Sequence, residues 1–323
     1  MTATRAAVSP ARLALSPRDG VREAARAALA FHLQGLLRER PSAEKGDAEA
    51  IHRLRVATRR LRTAIRLFRR ALYASQADKL RRELATAAHA AGRVREADVT
   101  GELLRKRGRK LDPAMAKALG PISSENSRRR SEAMKELARV LDSTSHQAAV
   151  ERLGTPAYRR GRDVALGSIA SELLRPLLRA MMRAGRSLSD DAPPEALHRL
   201  RVRAKRVRYA IEMLGGLGRK KLHKTLVRLE RLQDVLGGHN DVTSAIRWLR
   251  ECTERSAMPA DTLLAAGALL QILRARERKL ARRGIKAWRR LARSGLLSDS
   301  LAEVRRTAAH WQAENSSNTE TTP

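Results

Sequence analysis

The sequence contains an internal repeat, and a repeat constrains the architecture of a chain more than any other sequence feature. The segment Ile51 to Arg62, IHRLRVATRRLR, recurs from Leu197 to Arg208 as LHRLRVRAKRVR. A second shared segment, DVT, follows each copy, beginning at Asp98 in the first half and at Asp241 in the second. The repeat therefore predicts two related halves of similar architecture.

Turn signals divide the chain into about eight helices, about four in each half. Glycine and proline interrupt the helical pattern at Pro41-Ser42, Gly108, Asp112-Pro113, Gly120-Pro121, Gly154-Thr155-Pro156, Ala192-Pro193-Pro194, Gly215-Gly216 and Met258-Pro259. We predict repeat one over residues 18–143 and repeat two over residues 155–293. Residues 1–17 are predicted to be a disordered tail, and residues 294–323 a C-terminal extension that is mostly disordered at its end.

The composition favours helices over strands. Aromatic residues make up only 2% of the chain, whereas Ala, Leu, Arg and Glu are abundant. Strands are enriched in aromatic and β-branched residues, and the abundant types here are strong helix formers. Hydrophobic residues make up 42% of the 323 residues, which is enough to bury a core. We therefore predict an all-α fold.

The charge balance indicates the sign of the ligand. The chain has 67 Lys and Arg against 34 Asp and Glu, a formal net charge of +33 at pH 7. Self-repulsion of this size destabilises a compact protein unless an anion neutralises it. A strongly basic chain is typical of a partner of nucleic acid, of an anionic membrane surface or of another polymeric anion.

The sequence also indicates a compartment. No stretch approaches about eighteen uncharged apolar residues, the length that a membrane-spanning helix needs. The single cysteine, Cys252, has no intramolecular partner for a disulfide. We therefore expect a soluble, cytoplasmic protein with no membrane partner.

Basic residues form a stripe on each copy of the repeat, because residues three and four apart share one face of a helix. The first stripe consists of His52, Arg55, Arg59, Arg62, Arg66 and Arg69, and the second of His198, Arg201, Lys205 and Arg208. Leu54, Leu61 and Ile65 lie on a different face, so packing does not require the stripe. At 1.5 Å per residue the first stripe extends for about 26 Å, long enough to follow a linear anion.

Two further basic ladders follow at helical spacing. They consist of Lys221, Lys224, Arg228 and Arg231, and of Lys279, Arg282, Lys286 and Arg289. For any one ladder a solvated helix face is an equally good explanation. Several ladders with few interleaved acids favour a ligand, because like charges at these spacings destabilise an isolated helix.

These motifs resemble the CHAD family, whose name stands for conserved histidine α-helical domain. The resemblance is carried by the paired HRLRV segments with their stripes, by READV from Arg95 and by LQDVLGGHND from Leu232. It covers roughly residues 18–293. It implies two four-helix bundles related by a pseudo-two-fold axis, with a central basic cleft that binds inorganic polyphosphate, and a cytoplasmic location at polyphosphate granules.

The resemblance also implies the residues that line the cleft. These are His52, Arg55, Arg59 and Arg62 in the first half, His198, Arg201, Lys205 and Arg208 in the second, and Lys224, Arg228 and Arg231 from the neighbouring helix. Arg66 continues the first stripe and is included with them. Arg provides a planar fork for phosphate oxygens and Lys a compact point charge.

Two other classes of function stay open. Net charge alone supports a general binder of duplex nucleic acid, although the chain has no recognised nucleic-acid-binding signature and few aromatic residues for stacking on single strands. An enzyme of polyphosphate metabolism would need a nucleophile, a base or a metal cluster, and no such group is evident. We expect a non-catalytic protein without a cofactor, with nucleic acid as the less favoured partner.

The histidines admit three roles. His52 and His198 are flanked on their face by Arg, which would repel a cation, so metal ligation is disfavoured. Phosphorylation of a histidine is an alternative, and the favoured role is a donor to a phosphate oxygen or to an adjacent helix. Asp98 and Asp241 are expected to cap a helix or hold a cleft Arg, and the Gly237-Gly238 pair is expected to break or kink a long helix.

Overall fold

The computed structural model describes residues 13, 15–215, 220–255 and 257–319, and side chains as far as residue 309 apart from residue 308. These residues form eleven helices: α1 (Val21–Glu44), α2 (Ala48–Leu67), α3 (Ala74–Gly108), α4 (Pro113–Ala118), α5 (Gly120–Leu141), α6 (Thr144–Gly154), α7 (Leu166–Arg186), α8 (Pro194–Met213), α9 (Lys220–Arg255), α10 (Ala260–Arg293) and α11 (Leu296–Thr319). Outside the helices, the described backbone contains two isolated β-bridges and no strand. The predicted all-α class is confirmed. None of these helices is long and apolar enough to cross a membrane.

The helices pack in the same order in the two halves. In the first half α1 packs on α2, α2 on α3 and α3 on α5. In the second half α7 packs on α8, α8 on α9 and α9 on α10. Across the halves α2 packs on α8 and α3 on α9, so the two copies of the repeated motif lie on neighbouring helices. An exact pseudo-two-fold relation between two bundles stays a prediction.

Most predicted breaks coincide with helix ends, and two do not. Pro41 lies inside α1, where it removes a single N–H donor near the end of the helix. The turn comes at Gly46 instead, whose φ of 84° is a conformation that glycine adopts without strain. Gly237-Gly238 lies within the continuous helix α9, because the flanking Leu236 and His239 are buried and packing outweighs the low helix propensity of glycine.

The largest apolar core contains residues from both halves. Leu61 of α2 and Phe68, which directly follows that helix, belong to it together with Leu174 of α7, Leu200 of α8 and Trp288 of α10. A second core likewise joins helices of the first half, α3 and α5, to α9 and α10 of the second. Hydrophobic burial is the main favourable contribution to folding. The two repeats therefore share the interior that stabilises them.

The connection between the halves is joined to the start of α1. The N–H of Val21 donates to the carbonyl of Val164 at 2.9 Å, and the N–H of Leu166 to that of Asp19 at 2.8 Å. Leu15 is buried, and the carbonyl of Pro17 accepts from the N–H of Gly167 at 3.0 Å. Residues 15–17, which the sequence assigned to the disordered tail, thus pack on the fold, and residues 1–12 and 14 lie outside the described residues.

The C-terminal extension forms helix α11, which packs on α7 and α9. Val304 of this helix is buried in the largest core. The helix continues to Thr319, beyond Asn315 where the sequence predicted disorder to begin, since this stretch contains neither glycine nor proline to end it. Residues 320–323 lie outside the described residues.

Candidate functional site

Helix α2 presents the first basic stripe because its apolar face is anchored in the core. Asp47 caps the helix, its side chain accepting a hydrogen bond from the N–H of Ala50 at 2.6 Å. Leu54 and Leu61 are fully buried on one side. The basic residues of the stripe from His52 to Arg66 lie at the rim of this packed face, and each is half-buried.

Helix α8 places its own basic residues next to that stripe. It begins at Pro194, where the missing N–H of proline is tolerated. Arg201 is only 8% exposed, and its Nε has no hydrogen-bond partner in the described part of the chain. Lys205 lies one turn further along the same face and is half-buried. Burying these cations against α2 costs desolvation energy that no described carboxylate at ion-pair distance offsets.

Five cations meet at the seam between α2 and α8. We call them the central cluster: Arg55, Arg59, Arg95, Arg201 and Lys205. Among the described residues, none of the five lies within 4.0 Å of a carboxylate oxygen, the limit for an ion pair. Asp241 of α9 is the acidic neighbour that partly offsets the repulsion felt by Arg55, Arg201 and Lys205.

The pKa values of the central cluster show that burial and mutual repulsion disfavour its charged forms. Burial, followed by repulsion from Arg59 and Arg201, lowers the pKa of Arg55 to about 10. Burial, followed by repulsion from Arg201, Arg59 and Arg55, lowers the pKa of Lys205 to about 6. Burial and repulsion both favour the neutral form. An anion placed at the seam would favour the charged form and so raise both pKa values.

A second cluster of basic residues adjoins the central cluster, and we call the two clusters together the track. It consists of Arg62, Arg66, Arg81, Arg203 and Arg206. Burial, followed by repulsion from Arg206 and Arg81, lowers the pKa of Arg66 to about 10. Arg62 is repelled by Arg81 and also by Arg59 of the central cluster, so the two clusters adjoin. From Arg55 to Arg66 the track follows α2 for about 16 Å.

The two histidines of the motif have different surroundings. His52 is half-buried, and its Nδ1 has no partner among the described residues. Burial, followed by repulsion from Arg95, lowers the pKa of His52, so the ring is neutral near pH 7. His198 is exposed and its Nδ1 donates to Oδ1 of Asn240 at 2.6 Å. Neither histidine belongs to a group of His, Cys, Asp and Glu side chains that could hold a metal ion, within the described residues.

Arg208, the last residue of the second stripe, lies in a different environment from the clusters. Its Nε donates to Oε1 of Glu212 at 2.6 Å and its Nη1 to Oε1 of Gln233 at 3.2 Å. Arg60 donates to the other oxygen of Glu212 at 3.0 Å. Both guanidinium groups lie over the ring of Tyr209. Glu212 thus neutralises part of the positive charge where the second stripe ends.

The three predicted residues of α9, Lys224, Arg228 and Arg231, are exposed. Their helix packs on α8 through its opposite face, where Leu229, Leu232 and Gln233 are buried. No carboxylate of the described residues forms an ion pair with them. They add positive charge near α8 without joining either cluster.

The repeated aspartates also differ. Oδ1 of Asp98 accepts from Nε of Arg130 at 2.6 Å, an ion pair within the first half. Asp241 instead lies beside the central cluster. The two expected roles were to cap a helix start or to hold a cleft Arg. Both aspartates lie inside helices, and neither is at a helix start. Asp98 pairs with Arg130, which belongs to neither cluster, and Asp241 lies close to the central cluster.

Sequence reasoning missed four members of the two clusters. Arg95 and Arg81 come from α3, and Arg203 and Arg206 from a side of α8 adjacent to its stripe. Arg95 belongs to the READV segment, which was recognised from the sequence. Nothing in the sequence indicated that Arg95 lies beside the stripe of α2. No sequence signal distinguishes Arg81, Arg203 or Arg206 from other arginines on helix surfaces.

Comparisons with known proteins agree with this architecture. The model of the CHAD domain family matches residues 27–250. The crystal structure of the CHAD domain from the plant Ricinus communis is 25% identical, with a TM-score of 0.69, and the alignment covers 87% of this chain and 97% of that one. PptA from Streptomyces chartreusis is 19% identical, with a TM-score of 0.68 and coverage of 84% and 100%. No curated protein matches the chain.

Proposed function

Because the chain belongs to the CHAD domain family, we propose that it binds inorganic polyphosphate along the seam between α2 and α8. The observation that carries the proposal is the central cluster, in which five cations are held together with Asp241 as their acidic neighbour. Such a cluster lowers the stability of the free protein, and a bound anion restores it. Guanidinium groups bind phosphate oxygens through paired hydrogen bonds.

A linear polyanion fits the track better than a single phosphate does. The two clusters adjoin through Arg59 and Arg62 and together follow α2 for about 16 Å. Polyphosphate has a negative charge at every repeating unit, so one chain would contact both clusters in succession. Binding two adjoining clusters with one chain raises the effective concentration at the second.

The central experiment separates a site from a diffuse positive field. Replacing Arg55, Arg59, Arg201 and Lys205 with Ala removes four basic side chains from the seam. A matched variant replaces Lys279, Arg282, Lys286 and Arg290, which are exposed on α10 and form no ion pair among the described residues.

We expect the seam variant to bind long-chain polyphosphate at least tenfold more weakly than the α10 variant. Both variants lose four basic residues, and the seam variant loses no more charge than the α10 variant because Lys205 is largely neutral at pH 7.5 in the free protein. A screened long-range field therefore predicts a loss in the α10 variant at least as large as that in the seam variant. Only the seam variant loses direct contacts, each a charge-assisted hydrogen bond of about 1.5 to 3 kcal/mol. Equal losses in two variants that remain helical by circular dichroism would refute the site.

We further propose that binding is not accompanied by catalysis. Among the described residues, the seam combines basic side chains with His52, whose pKa is lowered, and with Asp241 as the neighbouring aspartate, an arrangement that suits holding an anion. The purified protein should neither release phosphate from polyphosphate nor extend the chain, with or without magnesium or manganese. Phosphate release that follows the protein through purification would contradict this.

Nucleic acid is the second candidate, supported by the net charge of +33. Among the described residues, the seam is lined by basic side chains on two packed helices and has no aromatic platform for bases, which favours a thin chain of phosphates. Competition among long-chain polyphosphate, duplex DNA and RNA at fixed salt ranks the candidates, and we expect polyphosphate to displace both.

The proposed location is the cytoplasmic polyphosphate granule, which a fluorescent fusion would reveal by colocalisation with stained granules.

A further inference from the structure

A cavity of about 550 Å³ lies between α7 and α11, away from the seam between α2 and α8. Its floor is apolar and includes Leu178 and Met182 of α7 and Leu301 of α11. The volume is within the range of about 300 to 1,000 Å³ that is typical of small-molecule sites. The cavity therefore has the size and the lining of a ligand site.

Five arginines surround this floor, on both walls of the cavity. Four are on α7, at Arg175, Arg179, Arg183 and Arg186, and Arg305 is on α11. The spacing on α7 keeps the four on one helix face, where like charges destabilise an isolated helix. The Nε of Arg175 is buried and has no hydrogen-bond partner among the described residues.

Within the described residues, no carboxylate lies within 4.0 Å of these five guanidinium groups. The acids of α11 bind elsewhere: Asp299 accepts from Nζ of Lys221 at 3.0 Å, and Glu303 from the N–H of Lys221 at 3.2 Å. Glu172 of α7 pairs with Arg70. The cavity therefore combines an apolar floor with positive charge that the surrounding protein does not neutralise.

We propose that this cavity binds a single-chain anionic amphiphile as a soluble monomer. Its alkyl chain lies on the floor, and its phosphate or carboxylate head contacts the arginines. A purely polar polyanion would leave the floor unused, and a neutral apolar molecule would leave the arginines without partners. Because the cavity is an open cleft between two helices and not a flat surface, it suits one chain better than the face of a bilayer. This site is independent of the polyphosphate proposal, since it lies on different helices.

The test uses the full-length protein and decyl phosphate below its micellisation concentration, with binding measured by calorimetry. We expect saturable binding of one molecule per chain. Methyl phosphate and decyl maltoside should each bind at least tenfold more weakly, because the first lacks the alkyl chain and the second the negative charge. Decanoate, which carries a carboxylate head, should bind in the same way as decyl phosphate. Equal affinity for methyl phosphate, or for decyl maltoside, would overturn the proposal.

Variants locate the site. The double variant Arg175→Ala/Arg179→Ala should lose at least tenfold in affinity, and the matched variant Arg282→Ala/Lys286→Ala on α10 less than threefold. Leu301→Trp should also lose at least tenfold because the larger side chain fills the cavity. If circular dichroism shows that Leu301→Trp is unfolded, Ala292→Leu, which also faces the cavity, replaces it.

Two outcomes of these measurements overturn the proposal. One is an equal loss in the cavity and α10 variants. The other is binding to phosphatidylglycerol vesicles without binding of the monomer. Polyphosphate affinity is measured on the same proteins and should be unchanged within threefold in the Leu301→Trp variant. The seam variant should in turn keep its affinity for decyl phosphate, so that failure of one proposal is distinguishable from failure of the other.

Discussion

Lys205 is the residue whose chemistry depends most on the ligand. In the free protein its pKa is lowered to about 6 by burial and by Arg201, Arg59 and Arg55. It is therefore largely neutral at pH 7.5 and charged at pH 5. A phosphate group at the seam adds negative charge beside the amine and favours its protonated form, which raises the pKa.

We predict that polyphosphate binding takes up protons above about pH 6. Calorimetry in buffers of different ionisation enthalpy measures this uptake, to which Lys205 should contribute up to about one proton at pH 7.5 and almost none at pH 5. His52, whose pKa is also lowered in the free protein, adds its own contribution. Long polyphosphate chains are used so that proton uptake by their terminal phosphates contributes little to the measured value. The Lys205→Met variant should show an uptake smaller by the contribution of Lys205. An unchanged uptake in that variant would assign the proton to another group.

At the scale of the helix, Gly185 controls how closely α7 approaches α10. The indole N–H of Trp288 donates to the carbonyl of Gly185 at 2.9 Å, and a Cβ at this position would overlap the indole ring. Trp288 is buried in the largest core and cannot move aside without disrupting it.

Gly185→Ala should therefore destabilise the protein, by about 1 to 3 kcal/mol. Urea unfolding measures the change. Gly267→Ala is the matched control, because Gly267 is also helical but has no atom near its absent Cβ. That variant should be neutral or stabilised by up to about 1 kcal/mol. Similar behaviour of the two variants would mean that α7 and α10 are not in close contact here.

The position of the second cluster predicts that the affinity depends on the length of the polyphosphate chain. Arg66 lies about 16 Å along α2 from Arg55 and has Arg206 beside it, so a short chain held at Arg55 does not reach this pair. Replacing both with Ala should weaken binding of long-chain polyphosphate several-fold and leave triphosphate binding nearly unchanged. Titrations with chains of defined length test this. Equal losses for both ligands would show that the clusters do not form one track.

At the scale of the whole molecule, the number of contacts between basic residues and phosphates controls how the affinity responds to salt. Each phosphate contact releases condensed counterions, so the affinity for a polyanion falls as salt rises. We predict a steep linear decrease of log K with log salt for long-chain polyphosphate. The slope should be smaller in the variant that lacks Arg55, Arg59, Arg201 and Lys205. An affinity that is constant between low and high salt would contradict an electrostatic mechanism.

The shared core predicts how a divided chain behaves. Cutting the chain between Gly154 and Thr155 separates α2 from α8 and exposes core residues such as Phe68 and Leu200. We expect each half alone to unfold without cooperativity and to bind polyphosphate at least tenfold more weakly, and the co-expressed halves to regain binding. Circular dichroism melts and binding titrations measure both effects. An isolated half that melts cooperatively and binds like the intact chain would show that the halves are independent.

The helices were largely predictable because helix formation leaves local signals. Most breaks at glycine and proline were found, since these residues change the allowed backbone conformations wherever they occur. Pro41 was predicted to end a helix and Gly237-Gly238 to break or kink one. Helices α1 and α9 continue through these positions because tertiary packing outweighs local propensity there. Helices α4, α6 and α11 raise the number from about eight to eleven. Helices α4 and α6 are short connecting helices with weak periodicity, and α11 lies in the extension that was predicted to be mostly disordered at its end.

The sequence by itself determined the all-α class, the internal repeat and the positive charge that calls for an anionic partner. These follow from composition and from spacings within one helix, which are local properties. Only the tertiary structure decided which cations meet: Arg95 and Arg81 of α3 join the stripe of α2, while Glu212 partly neutralises Arg208. Charges interact through space over a few ångströms. The composition of a site is therefore decided by where helices cross, which no spacing along one helix records.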